Sequence, residues 1–348
     1  MDLTFLLERF PEAAILAGGG LCVGMIFGAF AQQSRFCLRA AALDFAHGVF
    51  GARLAVWLLA FSAAVLTTQI LVALGEIQAS EARLLASPQS LSGALTGGLM
   101  FGTGMVMARG CASRLLVLSA TGNLRALLSG LVFAVMAQAS LRGILMPVRS
   151  WIAGWWTTAD TGGNDLIALF AIPSWLSFGF LTAWLAAGLV IAVRSRAEPW
   201  RMISAAIAGL AVPLAWWFTS SMASQAFDPV QVEAVTFTGP SADALMLFLS
   251  PPGSQVDFAI GLVPGVFLGS FLAALVSREL VLQGFESGRS MARYLSGAAL
   301  MGFGGMLAGG CAVGAGVSGA SIFALTAWIT LCGIWFSAVV MDRLIGDQ

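Results

Sequence analysis

Long apolar runs, separated by short stretches that hold most of the charge, dominate the chain. A helix needs about 20 mostly apolar residues to cross the hydrocarbon layer of a bilayer. About nine runs meet that length, over roughly 12–31, 53–74, 91–108, 124–141, 173–193, 200–220, 257–277, 293–310 and 321–341. Gly and Pro are frequent within them, as membrane helices tolerate. The pattern predicts an all-α integral membrane protein, one membrane transport domain over 1–348 with about nine transmembrane helices.

Composition agrees. Hydrophobic residues make up 59% of the chain and charged residues 10%, and mean hydropathy is +0.90. A soluble domain carries about 25% charged residues, and a water-soluble core could not hide this much apolar surface. The net charge is zero, so nothing points to nucleic acid. All 17 basic residues are arginine. Without lysine there is no phosphate-loop ATPase and no Schiff base, so any solute movement is not powered by ATP hydrolysis in this chain. No basic region precedes the first apolar run, and no cleaved signal peptide is expected.

Arginines in short loops set orientation, because cytoplasmic loops are enriched in them. Arg194, Arg196 and Arg201 mark one cytoplasmic loop, and Arg278, Arg289 and Arg293 another. The 221–257 stretch between them holds Asp228, Glu233, Asp243 and Asp257 with no arginine, and should face the periplasm. Counting back puts Arg35, Arg39, Arg53, Arg109, Arg114 and Arg125 inside and the N-terminus outside. Counting forward puts Arg343 and the C-terminus inside. The exception is 142–165, where Arg142 and Arg149 face Asp160 and Asp165; its Trp151, Trp155 and Trp156 suit the membrane interface.

An internal repeat emerges when the chain is cut at Gly102 and Gly302. The eleven residues Gly102–Ala112 align without a gap on Gly302–Ala312, with six identities that include Gly110-Cys111-Ala112 and Gly310-Cys311-Ala312. A weaker match joins Gly20, Gly24, Gly28 and Phe30 to Gly261, Gly265, Gly269 and Phe271. The repeat units run over about 18–141 and 257–341. In this topology the helices before Cys111 and Cys311 run in opposite directions, as in inverted-repeat transporters with broken helices. The 20–30 and 261–271 stretches come out parallel, so either one span is miscounted or only the Gly-Cys units are inverted.

The segments after both Gly-Cys units are short or broken by glycine, the pattern that marks a transport site. Short re-entrant helices starting there would aim free N–H groups and partial positive charge at the centre, which suits an anion. Five cysteines are present, an odd number outside any disulfide framework, so free thiols are expected. A thiol is a weak donor and a soft, polarizable contact, better matched to a sulfur-tipped anion than to a hydrated oxyanion. Cys37, in Arg35-Phe36-Cys37-Leu38-Arg39, is a third thiol flanked by arginine. No metal-ligand cluster, cofactor fingerprint or Ser-His-Asp arrangement is visible.

The Arg-Phe-Cys unit followed by two Gly-Cys units in near-identical frames resembles the YeeE/YedE sulfur-transport family, over about 18–340. The resemblance implies a thiosulfate permease of the bacterial cytoplasmic membrane, with an hourglass-like body of two pseudo-symmetric halves. It implies that Cys37, Cys111 and Cys311 pass the ion along a central pathway by S–H contacts. A small sulfur-carrier or sulfurtransferase partner is implied as well, and some members are linked to selenium. The 142–165 and 221–257 segments match nothing in the resemblance.

Simpler readings stand beside these. A cysteine in a Gly-rich helix contact can be an ordinary packing residue; the duplicated frame weighs against that for Cys111 and Cys311. Cys22 reads as close packing and Cys332 as core. Arg109 and Arg35 are either snorkelling interface residues or electrostatic guides. Asp44 and His47, one turn apart, read as a hydrogen-bonded pair at the water edge rather than a proton relay. Two other functions compete with permeation: a membrane sulfurtransferase holding a cysteine persulfide, and a carrier of selenite or another small anion.

Overall fold

In the computed structural model, which describes residues 3–159, 162–249, 251, 256–284 and 287–345, the apolar runs become long helices with short ones between them. They are α1 Glu12–Ser34, α2 Leu38–Ala46, α3 Ala52–Ala73, α4 Leu91–Met107, α5 Ala112–Ala120, α6 Leu124–Arg142 and α7 Met146–Ala153. Then follow α8 Ser174–Arg194, α9 Pro199–Gln225, α10 Thr238–Leu249, α11 Phe258–Val276 and α12 Gly288–Leu307. A π-helical turn, Gly314–Gly319, leads to α13 Leu325–Ile345. Single turns at Thr4–Leu7, Ala79–Glu81, Arg83–Ala86 and Leu166–Leu169 complete the secondary structure.

Among the described residues, eight segments are long and apolar enough to cross a membrane. The ninth expected span, 293–310, lies largely in α12. That helix is 20 residues long but opens on Gly288-Arg289-Ser290 and carries Arg293 and Tyr294, which lower its hydropathy. It is nonetheless packed between α4 and α6.

Close glycine contacts give the helix directions. Gly20, Gly24 and Gly28 of α1 face the carbonyls of Phe258, Leu262 and Val266 on α11. Gly261, Gly265 and Gly269 in turn face those of Ala17, Leu21 and Met25. Both sets of numbers rise together, so the two helices run parallel with backbones in contact, as small residues permit. The parallel arrangement read from the sequence is therefore real. On α4, by contrast, Gly93 faces Leu307 and Gly104 faces Gly297, so α4 and α12 run antiparallel.

Three further pairs are parallel. Gly98 and Gly102 of α4 lie against Thr330 and Ile334 of α13. Arg125 meets Tyr294 while Phe133 meets Gly302, aligning α6 with α12. Ala60 meets Gly209 while Glu76 accepts from the Trp217 indole, aligning α3 with α9. The chain thus contains four units of long helix, break, short element and long helix: α1-α2-α3, α4-α5-α6, α9-α10-α11 and α12-π-α13. In each mated pair the first helix of one unit lies along the last helix of the other. Helix α8 covers α3 from outside.

The 221–257 segment departs from expectation. It was expected as a periplasmic loop, but Val232, Val235 and Phe237 are buried and α10 follows directly. Apolar Ala234-Val235-Thr236-Phe237 is drawn inward, with the Val235 carbonyl accepting from Ser318 at 2.6 Å and the Phe237 ring 5.4 Å from Phe27. In the 142–165 segment, Trp151, Trp155 and Trp156 are exposed on and after α7, as an interfacial helix requires. Asp165 does not pair with arginine there; it caps the Leu166 turn by accepting from Ile167 and Ala168. Asp160 lies outside the described residues.

Candidate functional site

Each of the three site cysteines follows a helix that ends in the same way. The αL residue is Arg35 (φ 55°) after α1, Arg109 (φ 55°) after α4 and Gly309 (φ 77°) after α12. The next amide reaches back five residues: Phe36 to Ala31 at 3.1 Å, Gly110 to Met105 at 3.1 Å and Gly310 to Gly305 at 2.9 Å. This closure satisfies carbonyls that a broken helix would leave bare. An arginine in αL costs about 1 kcal/mol more than glycine would. One residue further on, in every case, stands a cysteine.

Cys37 and Cys111 are the N-caps of α2 and α5, and Cys311 opens the turn into the π segment. Cys111 and Cys311 are buried, at 0% and 1% exposure, and Cys37 is half-buried. Cys111 lies within electrostatic reach of both other thiols, with Cys37 the stronger neighbour. Its Sγ is 3.3 Å from the Ser113 hydroxyl. The Sγ of Cys311 accepts the Gly314 N–H at 3.3 Å and is close to Thr236 and Phe237. The fourth unit brings Phe237, not a cysteine, to the start of its short helix α10.

The two glycines before the buried thiols are not equivalent. A Cβ on Gly310 would come within 2.8 Å of the Ala315 amide, whereas on Gly110 it would meet nothing nearer than 3.5 Å. Gly310 is sterically required; Gly110 has room to spare.

The arginines gather at one end. Arg35 is exposed, 3.4 Å from Glu279, which also accepts from Gln32 at 2.9 Å. Arg109 is exposed and joins Arg125 and Arg293 around the Tyr294 ring, at 5.9, 4.7 and 5.5 Å from its centroid. Neither Arg35 nor Arg109 is buried among the thiols. Two other arginines feel the thiols: Arg114, three residues past Cys111, feels Cys37 and Cys111, and Arg39, two residues past Cys37, feels Cys37. The Cys-x-x-Arg spacing, which returns a side chain to the same helix face, could have flagged Arg114.

Acidic groups mark the opposite end. Glu233 is half-buried and lines two cavities. The inner one also holds Arg83, Thr236, Gly314 and Ser318, beside Cys311. The outer one holds Glu12, Asp228 and Asp257. Burial pushes the Glu233 carboxyl up to about 7; Asp257 adds to this and Arg83 opposes it. Arg83 donates to the Gly309 carbonyl at 3.4 Å.

The remaining sequence candidates fall outside the site. Cys332 is exposed on α13 rather than in the core, and Cys22 is exposed on α1 rather than closely packed. Apolar character alone does not fix which face of such a helix turns inward. Asp44 and His47 do not pair: Asp44 accepts from Arg53 at 3.3 Å, and His47 meets Asp342 at 3.0 Å. No group of His, Cys, Asp and Glu among the described residues is arranged to hold a metal ion.

A sequence profile described as Sulphur transport matches residues 33–340. The Escherichia coli (strain K12) protein named thiosulfate transporter TsuA is 26% identical over 342 residues, covering 91% of this chain and 92% of that protein. A Spirochaeta thermophila protein of the same name is 26% identical over 345 residues, covering 93% and 98%.

Proposed function

The chain belongs to the sulphur transport family, and on that premise we propose that it takes up thiosulfate through a central pathway lined by Cys311, Cys111 and Cys37. The two similar proteins are named for thiosulfate transport, which supports the substrate. What supports the pathway is that Cys111 and Cys311 are buried and Cys37 half-buried, with Cys111 within electrostatic reach of both others.

The chemistry suits a soft dianion. Thiosulfate carries a terminal sulfur that accepts weak S–H hydrogen bonds from thiols, and weak contacts let an ion leave as readily as it arrives. The Gly314 amide beside Cys311 and the N-terminus of α5 behind Cys111 add positive potential without full charges. The ion enters at the acidic end beside Arg83, passes Cys311, Cys111 and Cys37 in turn, and leaves at the arginine-rich end. Arg35 and Arg109 act there as an exposed electrostatic lure. Positive-inside topology puts that end in the cytoplasm of a bacterial inner membrane and the N-terminus in the periplasm.

The test is growth of a strain unable to import thiosulfate, with thiosulfate as sole sulfur source, alongside uptake of the labelled ion. Rescue, with uptake competed by unlabelled thiosulfate more than by sulfate, sulfite or selenite, is expected. A protein that inserts in the membrane yet rescues nothing overturns the reading.

A further inference from the structure

The three thiols account for softness but not for charge: a dianion in a low-dielectric centre needs a cation, and Arg35 and Arg109 are exposed at the rim. Arg114 is placed to supply it. It lies in the first turn of α5, one residue after Ser113, whose hydroxyl contacts the Cys111 sulfur. Its Nη1 is sealed from solvent and has no hydrogen-bond partner. It makes no ion pair among the described residues. The titratable groups within its electrostatic reach are the Cys37 and Cys111 thiols, Arg35 and Glu279. Glu279, the only carboxylate among them, is occupied by Gln32 and Arg35.

A guanidinium nitrogen sealed from solvent with its donors unused is a costly arrangement unless something anionic completes it. The duplicated frame sharpens the point. The residue aligned with Arg114 in the second Gly-Cys unit is Gly314, which offers Cys311 only a backbone N–H. The two buried thiols thus sit in matching frames, but the arginine that follows Cys111 in its own short helix has only a glycine as its counterpart after Cys311. Arg39, whose Nε is also buried without a partner, stands next to Cys37 and reinforces the field on the same side.

We propose that Arg114 forms an anion-holding subsite with Cys111 and Cys37, its guanidinium taking the oxygens of a small dianion while the thiols take the soft end. This rests on the permeation reading above and deepens it: the sulfonate-like oxygens are recognised by one half-buried arginine beside Cys111. A guanidinium presents paired N–H donors in a plane, which matches two oxygens of one anion better than a point charge does. The step from Cys311 to Cys111 then runs toward the stronger positive potential.

The test uses purified full-length protein in detergent or nanodiscs, with thermal unfolding followed in the presence of thiosulfate, sulfate, selenite or chloride. Wild type is expected to unfold at a higher temperature with thiosulfate. In Arg114→Met that shift should vanish, while the midpoint without anion stays the same or rises, because an unpaired charge has been removed. Uptake into proteoliposomes should fall about tenfold or more, and Arg114→Lys should restore part of it. Arg114→Met keeping the full thiosulfate shift overturns the subsite. So does failure of both Arg114→Met and Arg114→Gln to fold, since the guanidinium would then be holding the structure together. A wild type shifted by sulfate or selenite but not thiosulfate, with the shift lost in Arg114→Met, supports the subsite and overturns thiosulfate as substrate. A wild type shifted by none of the anions overturns both.

Discussion

The Sγ of Cys311 accepts the backbone N–H of Gly314 at 3.3 Å, so the thiol and the opening of a π-helical turn hold each other in the protein centre. π segments recur at functional sites because their wider turn leaves backbone groups free to meet a ligand. Here the turn is glycine-rich and wholly buried, and Ser318 ties it to the inward-drawn segment before α10 through the Val235 carbonyl. An ion that displaces the Gly314 bond at Cys311 exchanges one weak contact for another.

This exchange makes the thiols separable by substitution. Cys111→Ala and Cys311→Ala are each expected to cut thiosulfate uptake about tenfold or more, or about 1.4 kcal/mol in the barrier, with membrane insertion unchanged. Cys→Ser at either site keeps a donor and loses softness; it should retain less than half of wild-type uptake. Normal uptake by both alanine variants sinks the pathway. Cys22→Ala and Cys332→Ala, at exposed positions, should transport normally.

Glu233 predicts a pH dependence. Its carboxyl titrates near 7 in the folded protein because of burial, with Asp257 reinforcing the rise. Below pH 7 it is neutral and the cavity beside Arg83 favours an anion; above 7 it adds a negative charge. Uptake should therefore decline as pH rises through about 7, and Glu233→Gln should flatten that decline. The stability sign follows: a raised folded-state value means stability is full at acid pH and is lost as pH climbs from the ordinary carboxylate range through about 7. A wild-type uptake profile that rises with pH across this window contradicts the assignment.

The α1–α11 contact predicts a packing effect far from the thiols. A methyl group on Gly24 would strike the Leu262 carbonyl, and one on Gly265 the Leu21 carbonyl. Gly24→Ala and Gly265→Ala should each lower stability by roughly 1–3 kcal/mol, read from detergent unfolding midpoints. Gly18→Ala, where a methyl meets open space, is the control and should be near neutral. Equal behaviour of all three would mean the helices do not touch as described.

Asn164 predicts a polar lock at the acidic end. Its side chain donates to the Leu84 carbonyl at 2.7 Å and to the Thr326 hydroxyl at 3.0 Å, and accepts the Thr326 N–H at 3.0 Å. The residue is buried, so Asn164→Ala leaves these groups without partners and should cost about 1–3 kcal/mol. Protease accessibility of the chain around Asn164 should rise in parallel; an unaltered unfolding midpoint would argue against the lock.

Much of this was legible in the linear chain because lipid removes the ambiguity that water leaves. Backbone groups in hydrocarbon must be satisfied within the segment, so an apolar run of sufficient length has helix as its one outcome. Arginine spacing carried the end-to-end charge asymmetry and, through the count of spans, the antiparallel relation of α4 and α12; the six identities marked the two Gly-Cys frames as a repeat. Cys111 and Cys311 stood out through their duplicated Gly-Cys-Ala frames, and Cys37 through its Arg-Phe-Cys unit and the family resemblance.

Other features were decided only by three-dimensional packing. Burial of the 232–237 stretch depends on a groove formed by α9, α11 and the π turn, distant in sequence, so a run with acidic flanks looked like a loop. Whether a cysteine on an apolar helix faces lipid or protein is invisible when every face is apolar, which is why Cys22 and Cys332 were misplaced. Arg114 looked like one more topology-setting arginine; its unmatched Nη1 is a product of the packing of α5 against α6, α11 and α1. Hydrophobicity in a membrane specifies which residues leave water, whereas the choice of neighbour inside the bilayer comes from close fit and polar pairing, and those are properties of the assembled bundle.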